Sequence, residues 1–131
     1  MTIPSGRTGT SRLLGYVVDT TRPDGRVSVT MTVTEEHTNR HGNLHGGLIA
    51  TVLDTAMGAT VSNIRGEGGK VLFSTVTLTT NFLAPMPLGT ITALGRVTGG
   101  GHKTVFAEGE ARAADGTLIA TATGVFKRAT G

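Results

Sequence analysis

The chain has 131 residues, a formal charge of +3, 20 glycines, no cysteine and no tryptophan, with aromatic side chains making up 4%. That length suits one domain with a moderate core of aliphatic residues. The lack of cysteine excludes a disulfide framework and thiolate chemistry and fits a cytoplasmic protein. The absence of long basic runs, of a continuous apolar stretch of about 18 residues and of a secretory leader argues against nucleic acid, membrane and export.

Residues 1–12 are rich in Thr, Ser and Gly and read as a flexible tail. A single domain is expected over residues 13–128. Its first strand is predicted over Leu13 to Thr20. The turn chemistry of Arg22-Pro23-Asp24-Gly25 follows, and then Val27, Val29, Met31 and Val33 alternate with polar residues as a second strand, closing a hairpin. Glu35 to Gly42 is polar and reads as a loop. A helix is expected from about Gly46 to Ile64, ended by Gly66-Glu67-Gly68-Gly69. From Val71 the text is nearly all β. Val71 to Leu83 is broken by Pro85-Met86-Pro87, and Thr90 to Val97 forms the next strand before the turn at Thr98 to His102. The alternation of Val105, Ala107, Gly109, Ala111 and Ala113 precedes a hairpin at Asp115-Gly116, and Thr117 to Lys127 is the last strand. One long helix among antiparallel strands makes an α+β domain, a curved sheet wrapped around a central helix.

That helix carries the chemistry. From Leu48 to Val61 its residues are apolar, small or Thr, and Asp54 is the only charge. The pattern reads as a helix buried on most of its surface, where an unpaired carboxylate is costly and needs a reason. His45-Gly46-Gly47 precedes it, and glycines there let another group approach the free N–H groups of the first turn. An anion-favouring helix start and a lone acid together suggest catalysis at a polarised carbonyl.

The set Glu36-His37-Thr38-Asn39, His45-Gly46-Gly47, Asp54 and Asn81-Phe82-Leu83-Ala84-Pro85 resembles the hotdog-fold acyl-CoA thioesterases of the PaaI type, and the likeness runs from about Leu14 to Phe126. The resemblance implies hydrolysis of a thioester to a carboxylic acid and free coenzyme A, which is part of the substrate, so no separate cofactor is expected. It implies that the Gly46 N–H and the Asn39 carboxamide polarise the carbonyl. Asp54 would serve as general base or as nucleophile, and Thr75, or Ser74 if the register shifts by one, would position the water or the acid. His45 and Gly47 join the substrate-binding set, and His102 and Lys103 match the region where relatives meet the nucleotide, with Arg65, Lys70 and Arg96 as lesser candidates. Phe73, Phe82, Met57 and Met86 are candidates for the acyl wall. Many relatives carry an N-terminal helix before the first strand, which this sequence lacks the obvious length to form. Gly46 and Asp54 are eight residues apart, about 12 Å along a helix, so one carbonyl cannot touch both. The site must join two subunits, at least a dimer, and the family suggests a dimer of dimers.

Plainer accounts stand beside these. Asn39 is also a favoured loop or capping residue, His45 can simply bond backbone at the helix start, Thr75 can be an ordinary polar-face residue, and Lys103 a solvated lysine. His37, His41 and His45 fall four apart, but Gly42 and the missing His-Glu-x-x-His pattern argue against a metal site. Gly99-Gly100-Gly101 lacks Walker spacing, and no Gly-x-Ser-x-Gly occurs. Two rivals keep the fold but change the activity: a dehydratase or hydratase of hydroxyacyl or enoyl thioesters, and a non-catalytic acyl-CoA-binding protein. The residues leave open the acyl group, and whether it arrives on coenzyme A or on a carrier protein.

Overall fold

The β-branched, alternating segments that follow the helix pair into one six-stranded antiparallel sheet. In this computed structural model, which describes residues 8–130, α1 spans Gly9–Leu14, β1 Val17–Asp19, β2 Ser28–Val33, α2 Gly46–Arg65, β3 Phe73–Phe82, β4 Gly89–Gly100, β5 Thr104–Ala113 and β6 Leu118–Arg128. The spatial order is β1-β2-β4-β5-β6-β3. β3 therefore crosses over to the far side of the sheet and forms its edge, paired only with β6 among the described residues. The α+β arrangement expected from the pattern is the one observed.

The N-terminal segment departs from expectation. Of the tail read over residues 1–12, residues 1–7 lie outside the described residues, while Gly9–Leu14 is a helix, so the strand expected from Leu13 begins at Val17. The cause is local. The Thr8 hydroxyl accepts the Ser11 N–H, and Gly15, at φ 82°, closes the helix with its N–H on the Ser11 carbonyl. Leu13 sits on the exposed side of this helix and Leu14 packs toward the core.

α2 buries one stripe, Ile49, Val52, Leu53, Ala56, Met57, Thr60 and Val61, spaced at three and four residues. It presses this stripe on the concave face of the sheet, chiefly over β4 and β5. The approach is closest at Gly95, where an added Cβ would stand 2.5 Å from the Ala56 carbonyl oxygen. Threonine tolerates this helix because its hydroxyl bonds back four residues: Thr51 to Gly47, Thr55 to Thr51 and Thr60 to Ala56, at 2.7–2.9 Å. By length and composition alone α2 is apolar enough to cross a bilayer, which the reading of the sequence had excluded. Here it is the helix packed on the sheet.

Burial of α2 is nevertheless narrower than its composition suggests. Asp54 is half-buried, together with Thr51, Thr55, Gly58 and Ala59, because much of this flank lines an open cavity instead of packing tightly on the sheet. A single chain thus leaves the lone acid beside open space rather than enclosed, a correction to the expected buried carboxylate.

Candidate active site

The residues singled out on α2 fall into two separate cavities, one near each half of the helix. The first, of about 360 Å³, is built where the loop before α2 meets the end of β3; Asn39, Gly46, Phe82 and Met86 are among its lining residues. The second, of about 430 Å³, runs along the half-buried flank of α2, beside β3; Asp54, Gly58, Phe73, Thr75 and Tyr16 line it.

At the first cavity the helix start is held by backbone ties. The Leu44 N–H bonds the Met86 carbonyl at 2.7 Å and the His45 N–H bonds the His37 carbonyl at 2.9 Å. His45 is the N-cap: its Nδ1 accepts the Gly47 N–H at 2.9 Å, which leaves the ring proton on Nε2. Gly47 is thereby occupied. The Gly46 N–H has no partner among the described residues and lies at the positive end of a 20-residue helix. A Cβ on Gly46 would come within 3.3 Å of the Phe82 ring, so the glycine lets that ring lie close beside the donor.

Asn39 plays the loop role and leaves a donor over. Its Oδ1 accepts the His41 N–H at 2.9 Å and the Asn43 N–H at 3.3 Å. Two backbone donors on one atom identify it as the oxygen, so Nδ2, which has no partner among the described residues, is the end left for a ligand. The plain reading of Asn39 as a turn-former is met by Oδ1, and Nδ2 stays free beside it.

At the second cavity Thr75 Oγ1 donates to Asp54 Oδ1 at 2.7 Å. A register shift between Thr75 and Thr77 marks a β-bulge in β3, and such bulges re-aim side chains. Thr75 is the residue brought to the acid; Ser74 lies opposite Lys127 and is not among the residues around Asp54. The bond to Oδ1 leaves Oδ2 of Asp54 without a partner among the described residues.

Other candidates sit elsewhere. His102 and Lys103 occupy the exposed β4–β5 turn and line neither cavity; their carbonyls accept from Arg128, at 3.2 and 2.8 Å. Arg128 also donates to the Arg65 carbonyl and lies 5.4 Å over the Phe73 ring, while Arg65 reaches the carbonyls of Gly100 and Gly101. These two arginines brace the turn beside the Asp54 cavity. Arg96 is ion-paired with Glu108 on the outer face of the sheet, and Lys70 is exposed in the loop after α2. Met57 is fully buried between helix and sheet, not in an acyl wall, whereas Phe82 and Met86 line the Gly46 cavity and Phe73 the Asp54 cavity. Among the described residues no three His, Asp or Glu side chains are arranged to hold a metal. His37 has both ring nitrogens engaged, Nδ1 accepting from the Thr34 N–H and Nε2 donating to the Leu14 carbonyl.

Sequence reasoning missed the N-terminal contribution. Thr8, Tyr16, Val18 and Thr20 wall the Asp54 cavity, so the residues flanking α1 and β1 help to cover it. Thr8-x-x-Ser11 at the start of the helix and Gly15 after it were the available signals.

The profile of the Thioesterase superfamily matches residues 41–120. No curated protein sequence matches the chain. Among solved structures, a thioesterase family protein from Silicibacter pomeroyi is 31% identical with a TM-score of 0.84, over 95% of this chain and 92% of that one. The PaaI protein of the Escherichia coli phenylacetic acid degradation operon is 26% identical, with a TM-score of 0.84 over 95% of this chain and 87% of that one. A Bacillus halodurans protein solved with CoA is 26% identical, with a TM-score of 0.86 over 96% of this chain and 82% of that one. With its six-stranded antiparallel sheet, its single long helix and a family match over more than half its length, the chain belongs to the Thioesterase superfamily and is a PaaI-like hotdog protein.

Proposed function

We propose that the protein is an acyl-CoA thioesterase whose active site is completed by two copies of the chain. One observation carries this reading: the free donors Gly46 N–H and Asn39 Nδ2 occupy one cavity, and the Asp54–Thr75 pair occupies another. Eight residues of α2 separate the halves by about 12 Å, too far for one carbonyl carbon and its oxygen. Two-fold pairing of chains brings the first cavity of one copy against the second cavity of its partner, twice. The edge strand β3 supports this, because it is ten residues long, unpaired on its outer side among the described residues, and exposes Val76 and Phe82. The CoA bound by the Bacillus halodurans relative supports the choice of carrier.

In this reading the thioester carbonyl oxygen lies on the Gly46 N–H and Asn39 Nδ2, which take up the negative charge that develops on it. Asp54 from the partner copy accepts a proton from water on Oδ2, and the hydroxide carbon–oxygen bond forms as that proton leaves. Thr75, bonded to Oδ1, fixes the carboxylate plane. The tetrahedral adduct collapses, the carbon–sulfur bond breaks, and the CoA thiolate takes up the proton. Attack by Asp54 itself, through an anhydride, gives the same products; a single turnover in heavy-oxygen water labels Asp54 only in that case. The reaction needs no group beyond the substrate, and activity is expected to survive dialysis against a chelator.

Thiol release from aromatic and aliphatic acyl-CoAs tests the proposal. Asp54→Asn keeps an acceptor for Thr75 but removes the base, and is expected to lower turnover by about 10²–10⁴-fold without changing the oligomer. Full activity in that variant, or no release by the native protein from any acyl-CoA, would overturn the reading.

A further inference from the structure

His37 is the only buried acid, lysine, arginine or histidine among the described residues, at 8% exposed, and no step of the proposed reaction uses it. Main-chain groups on both sides fix its ring in one neutral form. Nδ1 accepts the Thr34 N–H at 3.0 Å and so carries no proton, while Nε2 carries the proton and donates it to the Leu14 carbonyl at 2.9 Å. Leu14 is the last residue of α1, so this one imidazole ties the N-terminal helix to the turn that follows β2.

On its other side the residue carries the loop that holds Asn39. Main-chain bonds close that loop on itself: the His45 N–H donates to the His37 carbonyl at 2.9 Å, the Asn39 N–H to the Asn43 carbonyl at 2.8 Å and the Gly42 N–H to the Asn39 carbonyl at 3.0 Å, and Thr38 forms a β-bridge with Leu44. The Asn39 loop and the start of α2 at Gly46 are therefore one hydrogen-bonded unit. Two bonds join it to distant parts of the chain, the Leu44 N–H on the Met86 carbonyl and the His37 ring on Leu14. The Thr38 hydroxyl reaches only Glu35, in the turn just before. Among the described residues the imidazole is thus the only side chain of this loop that hydrogen-bonds a remote segment.

The ring lies between the two half-sites. Through Leu14 it touches α1, whose flanking residues Thr8 and Tyr16 wall the Asp54 cavity, and through its own main chain it bears on Asn39 and Gly46. The α1 end is held without it, by the Thr8 hydroxyl on the Ser11 N–H and by the Gly15 N–H on the Ser11 carbonyl. The Asn39 loop has no such second side-chain tie. Resting on the two-chain thioesterase reading above, we infer that His37 is a positioning residue for the Asn39–Gly46 half of the site, acting in its own chain and leaving the Asp54 half of that chain untouched. Displacing an oxyanion donor weakens the contact that is strongest in the transition state, so the effect falls on kcat more than on KM.

Two variants separate the two bonds of the ring. His37→Asn puts an oxygen where Nδ1 stands and keeps the Thr34 bond, but is too short for Leu14. His37→Gln puts its amide nitrogen where Nε2 stands and keeps the Leu14 bond. In thiol release from an acyl-CoA, His37→Asn is expected to lower kcat by about tenfold with KM within about twofold, and His37→Gln to recover most of the loss. Refolding in mixtures then assigns the half-site. With an equal amount of Asp54→Asn, His37→Asn should reach about a quarter of native turnover, because about a quarter of the sites combine two undamaged halves. With Asn39→Asp it should stay at the mean of the two parents, since every site then has a damaged Asn39 half. Rescue by Asn39→Asp, or by neither partner, overturns the inference, as it places the damage on the Asp54 half or on the whole chain. Unchanged kcat in His37→Asn overturns it, as does a His37→Gln no better than His37→Asn. Failure of His37→Asn to fold also overturns it, because the ring then holds the fold and not one half-site. No thiol release by the native protein from any acyl-CoA overturns the thioesterase reading. Native release without a gain when Asn39→Asp is mixed with Asp54→Asn overturns the divided site. Either of these takes the His37 inference with it, and both are distinct from failure of His37 alone.

Discussion

Mixing two inactive variants offers the sharpest test of a site divided between chains. Asn39→Asp keeps the oxygen that accepts from the His41 and Asn43 N–H groups but replaces the free Nδ2 donor with negative charge. Asp54→Asn keeps the acceptor for Thr75 and removes the base. Loss of an oxyanion donor costs about 10²–10³-fold and loss of a general base about 10²–10⁴-fold, so each variant alone should retain about 1% or less of native turnover. When the two are refolded together in equal amounts, each site of the proposed kind draws Asn39 from one chain and Asp54 from another. The chance that both are native is one half for each, so about a quarter of the sites are intact. That fraction is the same for dimers and for dimers of dimers. Thiol release by the mixture should rise to about a quarter of native activity, at least twenty-fold above either parent. A mixture no more active than the mean of its parents would mean that Asn39 and Asp54 act within one chain or not at all, and the divided site would be abandoned.

Thr75→Val removes the hydroxyl that bonds Asp54 at 2.7 Å and keeps the shape. It should lower kcat by about tenfold while thermal unfolding shifts by no more than about 0.5 kcal/mol, because the bond is exposed; unchanged kcat refutes the positioning role. Gly95→Ala places a Cβ 2.5 Å from the Ala56 carbonyl oxygen and 2.6 Å from Thr60 Oγ1, which also accepts the Val27 N–H. Overpacking plus a strained hydrogen bond should cost about 3 kcal/mol in urea unfolding, and a loss below about 0.5 kcal/mol would show that α2 rides higher on the sheet than described. The Arg22 guanidinium hydrogen-bonds Asp24 and holds its carboxyl at about 2, below the ordinary 3.8. Asp19 and Asp115 are lowered too, chiefly by the Thr21 hydroxyl and the Thr117 backbone N–H respectively. In that window the unfolded chain binds more protons than the folded one, so stability should rise with pH from about 2 to 4 and then level off. Asp24→Asn should flatten the rise in melting temperature, and an unaltered slope would remove Asp24 as a contributor.

Much of the site was legible because it depends on spacing along one helix. Gly46 and Asp54 lie eight residues apart in any α-helix, and the distance behind the proposed two-chain site follows from the rise per residue. The choice between Ser74 and Thr75 was not legible, since a strand's alternation says which residues share a face only while the register holds, and a bulge between Thr75 and Thr77 breaks it. Tyr16 was invisible for a similar reason. Nothing in its neighbourhood in the sequence places it against a helix that begins thirty residues later.

By itself the sequence determined the order of strands and helix, the hairpin turns and the pairing of a helix start with one acid, because these rest on local periodicity and turn chemistry. Only the tertiary structure decided that β3 crosses to the sheet edge, that α1 exists and its flanking residues Thr8 and Tyr16 wall a cavity, and that the Asp54 flank of α2 stays half-open in a single chain. Those outcomes depend on contacts between segments far apart in the chain, where the core is filled by whichever elements cover it best. A composition apolar on all sides cannot say which side the sheet will take and which is left open.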